Sequence, residues 1–339
     1  MSSIREVAKL ANVSIATVSR VLNNDTTYKM TEETKKRVLD AIEQLNYNFA
    51  AKQRKKPTKK PNPSALHPKI GCILRVTRKG YNDPYYMSVL TGVEKHLHEN
   101  SIDLTFIKTA SSLYDHHSLV SAFQSPIDGL ILMDPMSDYA YEYMKKQVPH
   151  IVGIDTLRSD IDHVGYDHLQ NGILATKHLI EKGHKKIGFI GGSGKSGDIK
   201  ESQRYQGYLI AMYNAGLPIH EDWIIDCNWN EDECGEKVSI LCQSNCYPTA
   251  FFAASDLMAM AAMRSFYMNN IAVPDQVAVI GMSDIEMSQY SNPPLTTYHV
   301  PKEEIGRTAA HLLLSRINGY QTLPQKIILP TTFIERNST

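Results

Sequence analysis

The sequence predicts an α/β protein: a two-lobed body of parallel sheets with helices on both faces, preceded by an all-α helix-turn-helix segment. Three observations carry this: a charge split along the chain, short capped helical patterns at its start, and alternating apolar and amphipathic runs beyond Lys69. The chain has 339 residues, with 36 Lys+Arg balanced by 36 Asp+Glu. Residues 1–69 hold 14 bases and 6 acids, a net of +8, whereas residues 70–339 hold 22 and 30, a net of −8. Neutrality is therefore a cancellation between a basic end suited to a polyanion and an acidic body with different work. Nucleic acid is the partner predicted for the basic end. With 42% hydrophobic residues the chain can bury real cores, and its length suits two or three domains. No apolar run approaches the ~18 residues of a membrane span. The opening Met1–Leu10 is polar and helical in pattern rather than a basic-then-apolar leader, so a cytoplasmic location is expected.

Ser3-Ile4-Arg5-Glu6 reads as a capping box, which starts a first helix. Ala11-Asn12-Val13-Ser14 interrupts it, because Asn tolerates the left-handed conformation of a tight turn and Ser14 can cap the next helix. On that second helix, from Ile15 to Leu22, Val18, Val21 and Leu22 fall at i, i+3 and i+4 and face inward. Ile15, Ala16, Ser19 and Arg20 share the opposite side. A third helix starts after Thr31 and runs to about Leu45, with Val38, Leu39, Ile42 and Leu45 apolar. Three short helices with a tight turn between the first two describe a helix-turn-helix domain; the plainer alternative is any small three-helix bundle.

The run Val7-Ala8-Lys9-Leu10-Ala11-Asn12-Val13-Ser14-Ile15-Ala16-Thr17-Val18-Ser19-Arg20-Val21-Leu22-Asn23 resembles the headpiece of the lactose-repressor/galactose-repressor family of bacterial transcription factors. The resemblance implies that Ile15, Ala16 and Arg20 meet base edges in the major groove. Arg20 has the chemistry for guanine O6/N7, and Ile15 can meet a thymine methyl. Ser14, Thr17, Ser19 and Asn23 are implied to hold phosphates. For Ile15 the alternative is a hydrophobe packed into the bundle.

The domain boundaries expected are 1–47 for the headpiece, 48–68 for a basic hinge and 69–339 for an effector-binding and dimerisation core. Within the core, one lobe takes about 69–166 plus 297–320 and the other about 167–296 plus 321–339. In the hinge, Lys52, Arg54, Lys55, Lys56, Lys59 and Lys60 fall within nine residues, with prolines at 57, 61, 63 and 68. Proline blocks helix, so an extended linker begins at Pro57. Lys52, Arg54, Lys55 and Lys56 are candidate phosphate contacts. In the family this region carries a hinge helix that wedges a leucine into the minor groove. Here the asparagine-alanine-x-x-leucine pattern is absent and Lys56 stands at the leucine place. A short helix over Ala50–Lys55 that contributes charge rather than intercalation is expected, with a plain basic tether as the alternative.

From Lys69 the apolar runs Ile70–Leu74, Ile102–Ile107, Gly129–Met133, Ile151–Ile154, Ile187–Ile190, Ala250–Ala254 and Val277–Ile280 read as strands. Between them lie the helical stretches Tyr86–Glu99, Leu169–Lys182, Arg204–Asn214 and Met258–Met268. Strand and helix in repeated alternation mark parallel sheets covered on both faces, and ~270 residues suit two of them. After Pro301 a helix through Ile317 and a final run, Lys326–Phe333, complete the lobes. Ligands of such sheets bind at strand carboxyl ends, and two lobes can close on a ligand. Candidates there are Asp83-Pro84-Tyr85-Tyr86, Asp134-Pro135, Asp155, Ser255-Asp256 and Ser283-Asp284. Short carboxylates, hydroxyls and aromatics suit a sugar.

Gly192-Ser193-Gly194-Lys195-Ser196-Gly197 satisfies G-x-G-x-x-G, but the acidic residue expected about 20 positions on is missing from Ala211–Pro218, and the first P-loop glycine would fall on Phe189. It reads as a surface loop.

His178–Gly192, Arg204-x-x-Gly207-Tyr208, Ser255-Asp256-Leu257-Met258-Ala259 and Pro293-Pro294-Leu295-Thr296-Thr297 resemble the family's regulatory core, itself similar to periplasmic sugar-binding proteins. Asn82–Tyr86 and Asp198–Glu201 are also similar to the branch that represses β-galactosidase genes. The resemblance implies Arg204 as the main effector contact, with a salt bridge to Asp155 or Asp284 as the alternative role. Trp229 would stack on the sugar or, alternatively, fill the core. Asp284, Ser283, Asp155, Ser255, Tyr85 and Asp83 complete the implied effector site. Ser255 and Ser283 stand where the family often has asparagine and aspartate, and Asp256 is read as a cap for a helix beginning at Leu257.

His178 and His184 read as surface and packing histidines. No Ser-His-Asp or paired-carboxylate arrangement stands out, so no enzyme is expected. The five cysteines are odd in number with no Cys-x-x-Cys; Cys242 and Cys246 could share a helical face, yet no His pair completes a zinc set. No metal or other cofactor is expected beyond a small-molecule sugar effector. The partners implied are pseudo-palindromic double-stranded operator DNA, a sugar and a second copy of the chain, with no membrane. There is no leucine-heptad tail. The function implied is repression of a galactose or β-galactoside operon relieved by sugar. Co-repression or activation, as in members answering to purines or a phosphocarrier protein, stays open, as does a sugar-binding enzyme on the same scaffold.

Overall fold

Capping and burial explain the N-terminal helices in the computed structural model, which describes residues 3–22, 30–45, 68–75, 83–113, 115–133, 136–156, 158–192, 198–244, 246–320 and 322–339. Helix α1, Ile4–Leu10, opens on the capping box, with the Ser3 amide donating to Glu6 Oε2 at 2.6 Å and the Glu6 amide to Ser3 Oγ at 3.3 Å. Asn12 is left-handed at φ 51°. Helix α2, Ile15–Leu22, then starts on Ser14, whose Oγ accepts from the Thr17 amide at 3.0 Å. Helix α3, Glu32–Gln44, is capped by Thr31. Val18, Val21 and Leu22 of α2 are buried against Val7, Ala8, Val38, Leu39 and Ile42. Each buried Val, Leu or Ile among them contributes about 1.5–3 kcal/mol relative to exposure.

The chain falls into two compact units. The first comprises Met1–Val76, Thr91–His163 and Gly306–Lys326, and the second Thr77–Leu90, Val164–Ile305 and Ile327–Thr339. In chain order the first elements are β1 Ile70–Leu74, α4 Pro84–Glu99, β2 Leu104–Thr109, α5 His116–Ala122, β3 Gly129–Leu132, α6 Asp138–Gln147, β4 His150–Ile154 and β5 Asp162–Gly165. They are followed by α7 His168–Glu181, β6 Ile187–Gly191, α8 Gln203–Asn214, β7 Ile224–Asp226, α9 Glu231–Gln243, β8 Ala250–Ala253, α10 Asp256–Met268 and β9 Ala278–Ile280. The last are β10 Thr297–His299, α11 Lys302–Ile317, β11 Lys326–Ile328 and β12 Thr332–Ile334.

A six-stranded sheet runs in the order β11-β5-β4-β3-β1-β2, with β2, β1, β3 and β4 parallel in register Ile70↔Leu104, Ile70↔Gly129 and Gly129↔His150. A parallel four-stranded sheet has the order β7-β6-β8-β9, with Phe189 opposite both Ile224 and Phe252. Every residue of β6, β8 and β9 is buried, as helices on both faces require. Cores form around Ile73, Leu130, Tyr141 and Met144 in the first unit and Phe251, Val238, Met263 and Phe266 in the second.

Three expectations change. The Lys326–Phe333 run splits: β11 joins the six-stranded sheet, while β12 pairs antiparallel with β10. Strand β5 is unexpected because Asp162-His163-Val164-Gly165 is half polar; Arg316 makes its burial possible, with Nε and Nη2 each 2.7 Å from an Asp162 oxygen. A buried carboxylate needs such a partner. Cys242 and Cys246 do not share a helical face, since α9 ends at Gln243, leaving Cys242 buried and Cys246 exposed.

Candidate DNA-reading face and effector site

On α2 the inward and outward faces divide as the periodicity requires. Ile15 is 46% exposed, so it does not fill the bundle. Ala16 and Ser14 are exposed, and Thr17, Ser19 and Arg20 are half-buried. One helix side therefore presents an apolar contact, a small residue and a guanidinium, a combination that can read a thymine methyl and a guanine edge. Ser14 and Thr17 bond each other at 2.9 Å besides capping the helix. Asn23, Lys52, Arg54, Lys55, Lys56 and the rest of the hinge up to residue 67 lie outside the described residues, as do Asp134, Pro135 and residues 193–197 of the glycine-rich loop.

In the second unit, polar or aromatic residues lie just beyond β7, β8 and β9 of the four-stranded sheet. After β7, Asn228 and Trp229 are both left-handed, at φ 48° and 56°. This turn lays the indole on Gly192 beyond β6, where a Cβ would come within 2.4 Å of Trp229 Cδ1. Trp229 is half-buried; the buried core indole is Trp223, which donates to the Cys246 carbonyl. Arg204, near the start of α8, lies 5.5 Å from the Trp229 ring centroid, a cation–π distance. Its Nε donates to Tyr166 Oη at 3.0 Å, and Nη2 reaches the same oxygen. Tyr166 has no counterpart among the candidates read from the sequence; it directly follows β5 and its ring meets His168 at 4.0 Å.

The ends of β8 and β9 are tied together. Ser255 is the cap of α10, accepting from the Met258 amide at 3.3 Å. Asp256 is thus not the cap: it is 1% exposed, with Oδ1 accepting from Thr297 Oγ1 at 2.6 Å and Oδ2 from the Ile285 amide at 2.8 Å. Burial pushes its carboxyl up to about 6 despite these bonds. Ser283 is 5% exposed, and both it and Asp284 are left-handed, at φ 117° and 51°. Asp284 pairs with Arg336 at 2.7 Å and His299 at 3.0 Å, so its ionic partner is Arg336 rather than Arg204.

Asp83 accepts from the Tyr85 amide at 2.9 Å and steadies the start of α4, where Tyr85 is buried edge-on to Tyr86. Asp155, in the first unit, is left-handed at φ 50° and half-buried after β4. The second unit thus joins Arg204 to Trp229, and Ser255-Asp256 to the Met282–Ile285 segment. Tyr166, His299, Lys302 and Arg336 are the functional candidates that sequence reasoning missed. As single polar residues with partners 15 to 52 positions away, they carry no local motif.

His178 bonds Thr339 Oγ1 at 2.9 Å and packs on Phe333, while His184 bonds Thr249 at 3.0 Å. Burial lowers both imidazoles, consistent with packing roles. Among the described residues no group of three or more His, Cys, Asp or Glu could hold a metal ion, and no helix is long and apolar enough to cross a membrane.

A helix-turn-helix reader carried on an α/β body of the periplasmic-binding type defines a class, the DNA-binding transcription regulators. Residues 3–48 match bacterial regulatory proteins of the lacI family, and residues 176–339 match the periplasmic binding protein-like domain. The repressor MelR of Bacillus subtilis (strain 168) is 32% identical over 345 residues, spanning 100% of this chain and 97% of that protein. The repressor PurR of Aliivibrio salmonicida (strain LFI1238) is 33% identical, spanning 94% of this chain and 92% of that protein. The solved complex of the transcriptional regulator CelR with cellobiose superposes with a TM-score of 0.73 at 26% identity, covering 100% of both chains. The chain belongs to the lacI family and is a helix-turn-helix transcriptional repressor, not an enzyme.

Proposed function

We propose that this chain is a cytoplasmic, homodimeric repressor of a sugar-utilisation operon, with a galactoside as the first effector to test. Residues 1–47 read a pseudo-palindromic operator, 48–68 form the basic hinge, and 69–339 take the effector and dimerise. Ile15, Ala16 and Arg20 contact bases. Ser14, Thr17, Ser19, Asn23, Lys52, Arg54, Lys55 and Lys56 neutralise or position phosphates. On the effector side the reading rests on Arg204 set over Trp229 at 5.5 Å. A guanidinium fork beside an indole face suits a ligand with hydroxyls on its rim and C–H faces on its ring. Ser255, Ser283 and Asp284 at neighbouring strand ends, with Asp83, Tyr85 and Asp155, complete the proposed set. The cellobiose carried by the related regulator supports a sugar.

Gel shifts with the natural upstream DNA, with and without galactose, lactose and cellobiose, test the reading. Release of DNA by one of these sugars is expected; tighter binding with a purine base instead would identify a co-repressed regulator, and sugar turnover would overturn the assignment altogether. Arg20→Ala should cost about 1–3 kcal/mol and relax specificity at one base pair per half-site, as read by competition with single-base operator variants.

A further inference from the structure

The carboxylate at the end of β9 is already committed. Asp284 Oδ1 accepts from Arg336 Nη2 at 2.7 Å and from Ser288 Oγ at 3.2 Å, and Oδ2 accepts from His299 Nδ1 at 3.0 Å. Burial works to raise this carboxyl, but the bonds from Arg336 and His299 outweigh it and hold the group below the ordinary carboxylate value. It is therefore an anion at neutral pH. Its backbone is pinned as well. The buried Lys302 ammonium, in the first turn of α11, donates to the Ser283 carbonyl, to the Asp284 carbonyl at 2.9 Å and to the Val300 carbonyl at 3.3 Å. Two consecutive left-handed residues are held by these bonds.

The exposed member of the cluster is the histidine. The His299 side chain is 45% exposed against 17% for Asp284. An anionic carboxylate only accepts, so Nδ1 carries a hydrogen, and the tautomer this bond selects has its lone pair on Nε2. Nε2 has no hydrogen-bond partner among the described residues. This arrangement repeats the logic by which a carboxylate fixes the tautomer and direction of a functional imidazole. We propose that His299 is a specificity-determining effector contact whose Nε2 accepts from one sugar hydroxyl, and that Asp284 acts behind it as the positioning residue. The proposal rests on the sugar-effector reading of the function. A hydroxyl that donates fits such a site; a ligand group that only accepts does not.

The test uses the full-length protein and titration calorimetry with galactose, lactose, cellobiose and ribose, and then with the monodeoxy analogues of whichever sugar binds. Removing the hydroxyl read by Nε2 should weaken binding to the unsubstituted chain about tenfold. The same deoxygenation should cost His299→Ala less than about twofold, and His299→Gln, which can still accept, should recover part of the affinity. A histidine with a merely structural role would leave the pattern across the analogues unchanged. That result, with sugar binding intact, overturns the proposal alone. Binding of none of the four sugars overturns the sugar reading and this inference with it. Should His299→Ala lose its cooperative melting transition, His299→Leu supplies the same comparison.

Discussion

Asp256 places a carboxylate in the interior of the second unit, and the bonds it accepts from Thr297 and Ile285 only partly offset desolvation. Because its folded value of about 6 lies above the ordinary 3.8, folding favours its protonated form. The stability it contributes is present in full below the unfolded value and is lost as pH rises through the folded one. Its contribution should fall by about 2 kcal/mol between pH 4.5 and 7. Asp256→Asn does not titrate, so urea unfolding of the two proteins at both pH values should show the gap between them moving by that amount in favour of the variant at pH 7. A constant gap would mean that the carboxyl is not desolvated. This residue also shows where the sequence was legible. Asn12, Ser14 and the Val18-Val21-Leu22 face act within a few positions of themselves, so spacing alone placed them. Asp256 stands beside a capping serine, and its true partner, Thr297, lies 41 residues on; nothing local distinguishes the two roles. His299 and Arg336 are silent for the same reason, since their meaning comes from Asp284.

Helices α7 and α8 approach each other so closely that glycine is required at the crossing. A Cβ at Gly207 would come within 2.3 Å of the Leu169 carbonyl oxygen and 2.9 Å of the Gly172 Cα. Both obstacles are backbone, so the helices must part. Gly207→Ala should therefore destabilise by about 1–3 kcal/mol despite its better helix propensity, measured as a lower urea midpoint at an unchanged slope. Since α8 also carries Arg204, the displacement should weaken binding of the proposed effector as well. Strands such as β1, β6 and β8 were legible as unbroken apolar runs, and α4, α7, α8 and α10 by their periodicity, whereas α5, α6 and α9 were not read. Two short strands were not: β7 is too short to show a period, and the half-polar β5 owes its burial to Arg316, 154 positions from Asp162. Over 326–334 two short apolar stretches flank Pro330, and Leu329–Thr331 turns the chain from one sheet to another. A run read as one element cannot reveal which partner each half finds.

At the scale of the whole molecule the charge is divided, +8 over residues 1–69 and −8 over residues 70–339. The acidic body gains nothing near phosphates, so the attraction to DNA must come from the first segment. Counterion release makes that attraction measurable, because each phosphate neutralised contributes about −0.9 to the slope of log K against log salt. If Lys55 meets one phosphate in each subunit of a dimer, Lys55→Ala should make the slope shallower by about 2. Its effect should be the same on operator and on random DNA, because a phosphate contact carries no sequence information. Arg20→Ala should behave in the opposite way, losing discrimination at one base pair while changing the slope less. Lys185→Ala, at an exposed position on the body, should leave both quantities alone. Filter-binding isotherms from 50 to 200 mM potassium chloride on the three variants separate these cases. A Lys185 effect as large as that of Lys55 would show that the body shares in DNA binding, and the division of labour inferred from the charge split would then fail.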